Sequence, residues 1–151
     1  MQYPQDERSA NDPKADCEAL MTSVLPFAEQ MLSRHGEFFP FGGAMRPDGE
    51  LVSVAGYRGD EHPPSSDVIR LIKDGFVEAA RQDQFKATAL VCDVRVKLPS
   101  TDDKSDAIAV SLNHRDNYSI VVIFPYKIDG GKLTMGTAFA KEGEADIFLP
   151  R

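Results

Sequence analysis

Six side chains have the types and placement that suit binding chemistry: Glu37, Phe39, Phe41, Asp93, Arg95 and His114. Asp93 and Arg95 stand two residues apart on a strand-like stretch, so both project to one side and can form a polar spot. Phe38, Phe39, Phe41 and Tyr57 can line an apolar groove beside it. Glu37, set between a helix end and these aromatics, is explained by neither. Of the three histidines, His35 falls at a helix end and His62 in a loop, which leaves His114 for general acid–base work. His114-Arg115-Asp116 matches the kinase catalytic triplet. No Asp-Phe-Gly or correctly spaced Asn follows, so the three residues read better as a polar turn between strands.

Recognisable catalytic signatures are missing from the sequence. It has no phosphate-binding glycine loop, dinucleotide fingerprint, zinc motif or Gly-x-Ser-x-Gly elbow. No catalytic residue, metal ligand or cofactor is expected. Cys17 and Cys92 are too few and too far apart for a disulfide framework, and both fall on apolar stripes as buried thiols. The formal charge of −7 disfavours nucleic acid and anionic membranes as partners and leaves room for a basic protein. No apolar run reaches the roughly 18 residues of a membrane span. The polar, acidic start lacks the features of a signal peptide, so a cytoplasmic protein is expected.

Elements must position these residues. Residues 1–14 read as a flexible leader and 15–151 as one domain. Leu20, Val24, Phe27, Ala28, Met31 and Leu32 fall at helical spacing, with Pro26 inside the helix and Gly36 as its stop. Phe38 to Met45 and Leu51 to Tyr57 form a hairpin around Arg46-Pro47-Asp48-Gly49, and Gly42-Gly43 invite a bulge. Ser65 or Ser66 caps a second helix whose apolar face is Val68, Leu71, Ile72, Phe76, Ala79 and Ala80. Strands follow at Ala87–Leu98, Ala107–Asn113, Tyr118–Ile128 and Leu133–Ala140, the last two joined at Asp129-Gly130-Gly131. The expected fold is α+β: a five- to six-stranded antiparallel sheet, order α-β-β-α-β-β-β, with both helices on one face. Ile147-Phe148-Leu149 would add a short final strand. The other face, with Ala87, Ala89, Ala107, Ala109, Ser111, Gly136 and Ala138, could stack in a homodimer.

The run Gly36-Glu37-Phe38-Phe39-Pro40-Phe41-Gly42, followed by Asp48-Gly49-Glu50, resembles a pattern in small uncharacterised bacterial single-domain proteins. Some of those are suspected immunity proteins of toxin systems. The resemblance covers about a third of the chain and implies no catalytic residues. In element order alone the chain is similar to roadblock and longin modules, except that a β-like tail replaces their final helix. The leading expectation is a non-enzymatic protein-binding domain, of the immunity type, that neutralises a basic partner through acids such as Asp102, Asp103, Asp106, Glu142 and Glu144. The alternative is a small ligand-binding domain or enzyme whose pocket lies near residues 38–41, Asp93, Arg95 and His114.

Overall fold

The computed structural model describes residues 12–55 and 64–149. Tyr57, His62 and all but the end of the expected leader lie outside them. The first helix, α1 (Pro13–His35), starts two residues inside that leader. The Asp12 carboxylate accepts from the Lys14 and Ala15 N–H groups, and proline occupies the first turn, where its missing N–H costs nothing. The helix runs through Pro26 and stops at Gly36, whose φ of 76° and N–H bond to the Leu32 carbonyl make a left-handed cap. Its buried stripe is Cys17, Leu20, Val24, Ala28 and Leu32.

Seven antiparallel strands follow the expected order around the second helix: β1 (Phe41–Met45), β2 (Leu51–Ala55), α2 (Ser65–Arg81), β3 (Ala87–Lys97), β4 (Lys104–His114), β5 (Tyr118–Asp129), β6 (Lys132–Met135) and β7 (Phe139–Glu142). The fold is α+β, with sheet order β2-β1-β3-β4-β5-β6 and β7 also on β5. No described helix is long and apolar enough to cross a membrane. Pro64, without a side-chain bond, occupies the cap position of α2 where a serine was expected, and Leu71 on this helix points to solvent.

The two helices lie on opposite faces of the sheet, and the one-face expectation is corrected. The stripe of α1 packs on Ala87, Ala89, Val91, Ile108, Val110 and Leu112. Val68, Ile72 and Phe76 of α2 pack on Ala44, Leu90 and Ile147, which project the other way. β3 is buried on both sides from Ala87 to Val91, and its apolar even-numbered positions read as a single core face in the sequence alone. The bulge expected at Gly42-Gly43 is also absent, because β1 pairs in unbroken register with β2 and β3. These glycines answer to close approach instead. A Cβ on Gly42 would meet Phe76 at 2.8 Å, and one on Gly43 would meet Val24 at 2.6 Å.

The bulge occurs elsewhere. Met135 pairs with Tyr126 but Phe139 pairs with Ile123, so one extra residue enters between β6 and β7. Gly136 donates to the carbonyl of Pro125, a residue with no N–H to offer in return. The slip turns Phe139 to the face opposite α1, whereas unbroken strand period from Met135 would keep it on the α1 face. The tail docks, but not as a strand. Gly143 and Ala145 bond Ser119, and Ile147 buries itself beside α2. The small-residue face is split accordingly: Ala87 and Ala89 lie under α1, and α2 with the tail occupies part of the reverse face.

Gly42→Ala and Gly43→Ala should each lower unfolding free energy in urea by about 1–3 kcal/mol through overpacking. Gly75→Ala, in α2 with nothing within 4 Å of the added Cβ, should raise it by about 0.5–1 kcal/mol.

Candidate functional site

Beyond Gly36 the chain must cross from the end of α1 to the sheet. Asp93, half-buried on the α1 face of β3, accepts from the Tyr126 hydroxyl at 2.6 Å and from the Phe38 backbone N–H. Burial pushes the Asp93 carboxyl up, the two donors pull it back, and the negative charges of Asp106 and Glu37 add to the rise. Burial and then the Asp93 carboxylate raise Tyr126 as well, so its phenol keeps its proton at neutral pH. Arg95 pairs with Asp106 at 3.1 Å, with both side chains well exposed. Three of the expected residues, Glu37, Asp93 and Arg95, thus gather with Asp106 and Tyr126. Tyr126 escaped the sequence reading because its partner lies 33 residues away.

Phe38 joins this acidic cluster to an aromatic one. Its ring, buried against the core, meets Phe41 edge-on at 5.7 Å, and Phe41 meets Phe27 at 4.9 Å. Phe27 and Leu51, each nearly half-exposed, border a groove of about 300 Å³ over Val24, Phe41 and Ser53. Phe39 is equally exposed but does not line the groove. Helical spacing placed Phe27 in the core. It falls at the margin of the stripe, where α1 overhangs the edge of the sheet. Arg46 N–H bonds the Glu50 carbonyl, which sets the alternation along the hairpin. Ala44–Val52 and Gly42–Val54 therefore exchange bonds, and the N–H and C=O groups of Leu51 and Ser53 point outward. Among the described residues no strand pairs with that edge.

His114 does not join either cluster. It sits opposite Ala87, whereas Asp93 lies six residues further along β3, about 20 Å away. The pocket imagined around residues 38–41, Asp93, Arg95 and His114 is therefore not assembled. Nor is His114 in the turn, which spans Arg115 to Asn117, the latter at φ 65°. Its Nε2 lies 2.9 Å from an Asp16 carboxylate oxygen that also meets Lys86 Nζ at 3.3 Å, and all three residues are buried. Nδ1 accepts from the Asp116 N–H at 3.0 Å, so the ring proton resides on Nε2 and points at Asp16. Lys86–Asp16 is then the single ion pair of a cluster whose histidine is neutral. Burial pushes the neighbouring Cys17 thiol up to about 12 and Cys92 to about 11, so neither is a thiolate nucleophile at neutral pH. No three His, Cys, Asp or Glu side chains among the described residues are arranged to hold a metal ion.

Two measurements check these assignments. Asp16→Ala leaves Lys86 buried without a counter-charge and should cost about 3–5 kcal/mol in denaturant unfolding, with Asp16→Leu/Lys86→Met recovering most of it. The Asp93 carboxyl is raised above its ordinary 3.8, so its proton stabilises the fold fully below that value. That contribution disappears as pH climbs through the raised value. Asp93→Asn keeps an acceptor for Tyr126 and Phe38 but has no charge to bury. Its stability relative to the parent should therefore rise from about pH 3.5 to 7, and a flat or falling difference would contradict the assignment. The chain matches no protein-family model, no curated protein and no solved structure.

Proposed function

We propose that this chain is a non-enzymatic protein-binding domain of the immunity type, which takes a basic partner at the groove and acidic cluster joined by Phe38. The observation that carries this reading is their continuity. An apolar groove with exposed Phe27 and Leu51 adjoins Glu37, Asp93 and Asp106, the last paired with Arg95. Aromatic anchors beside complementary charge are the usual anatomy of a binding hot spot. A net charge of −7 would speed encounter with a basic surface. Asp102 and Asp103 lie in the connection between β3 and β4, the strand that carries Asp106. Glu144 belongs to another environment, beside Lys73 on the tail. The finer assignment rests on the resemblance of Gly36–Gly42 and Asp48–Glu50 to small uncharacterised bacterial proteins, some of them suspected immunity proteins. The ligand or enzyme reading loses support, since its residues do not converge.

Capture from the native cell tests the proposal. The parent chain should retain a basic protein, less of it between about 0.05 and 0.5 M salt. Phe27→Asp/Leu51→Asp should lower the affinity for that protein at least about tenfold with the unfolding midpoint preserved. Retention that ignores both salt and this double substitution would overturn it.

A further inference from the structure

A second, polar site lies on the opposite face, beneath the C-terminal segment. Residues 143–147 run from β5 to α2 over a space of about 100 Å³. Register places Thr88, Asn113 and Ser119 side by side across β3, β4 and β5 on its floor. Thr88 is 1% exposed and Asn113 7%. Neither side chain makes a hydrogen bond to another described residue, yet neither has a polar atom sealed from the cavity. Ser119 Oγ accepts from the Ala145 N–H and keeps its own proton to donate. Buried polar side chains are ordinarily paired, and valine would fill the Thr88 position in this strand equally well. The hydroxyl and the amide therefore call for an occupant.

The lining indicates its chemistry. Lys73 at the side is held by Asp146 at 2.8 Å and Glu144 at 3.8 Å, so the one nearby cation is already neutralised. An anion entering the cavity would find no unengaged cation, and a cation would find only Asp146, already held by Lys73, and the solvent-exposed Glu144. The Asn113 carboxamide presents a donor and an acceptor together, the match for a second amide in a two-point bond, with the hydroxyls of Thr88 and Ser119 on either side. Phe76, Leu90 and Val121 supply apolar walls for a short hydrocarbon part. The volume holds a handful of heavy atoms. We propose that this cavity binds a small uncharged amide on Thr88, Asn113 and Ser119, with the C-terminal segment closing over it. The proposal is independent of the partner-binding groove, which lies on the other face.

The test is ¹H–¹⁵N NMR of the full chain titrated with acetamide and, separately, with acetone, which accepts a hydrogen bond but donates none. Acetamide should move the Asn113 side-chain NH₂ and the Thr88 and Ser119 amides saturably, with a dissociation constant of about 1–50 mM. Acetone should bind at least about tenfold more weakly, and Thr88→Val should weaken acetamide about tenfold. If Thr88→Val loses the native spectrum, Thr88→Ser keeps the hydroxyl and should bind within about threefold of the parent. Non-saturating or scattered shifts, equal binding of the two probes, unchanged affinity in Thr88→Val, or a tenfold loss in Thr88→Ser would overturn the assignment. So would a long-lived water at Asn113, seen by water–amide NOE, that acetamide fails to displace.

Discussion

The structure depends on how closely two helices approach the same pair of strands. At β1 the sheet is sandwiched, with Leu20 and Val24 of α1 on one side and Ile72 and Phe76 of α2 on the other. Neighbouring strand residues point to opposite faces, so both faces need small side chains at once. The run Gly42-Gly43-Ala44 and the facing Ala87 and Ala89 satisfy that demand. With ordinary strand residues there, at least one helix would be lifted off. The adjoining sites would go with it, because Phe27 overhangs the groove only while α1 lies flat, and the polar cavity is walled by Phe76.

The same constraint marks where sequence reasoning succeeds and where it stops. Element order, the stop of α1 at Gly36 and the Gly-Gly turn are legible because caps, period and turn residues act locally. The sidedness of the helices is not, since Gly42-Gly43 carries equally well the signature of a bulge and of a contact on each face. The true bulge lies in a stretch that reads as one continuous strand. Its cue is Pro125, on the neighbouring strand and more than ten residues earlier.

The candidate residues divide by the same logic. Asp93 and Arg95 share a face by strand period, and Glu37 reaches them because Gly36 ends the helix there. Tyr126 and Phe27 belong with them only through tertiary packing. His114 looked catalytic beside Arg115 and Asp116 and is instead a buried link. It joins the start of α1 to the end of β4, 98 residues away, through Asp16. A neutral, doubly bonded imidazole in that position stabilises the assembly and leaves no free nitrogen for a substrate.

The interruption between β6 and β7 gives the sheet two unlike sides. On the β5 side an approaching strand would meet two four-residue pieces, out of step by one residue and carrying Lys132 and Lys141. Kinks and lysines of this kind guard a sheet against growing by addition of foreign strands. On the β2 side Leu51–Ala55 is unbroken and uncharged. Any extension of the sheet is thereby steered to a single side, the one over which Phe27 leans.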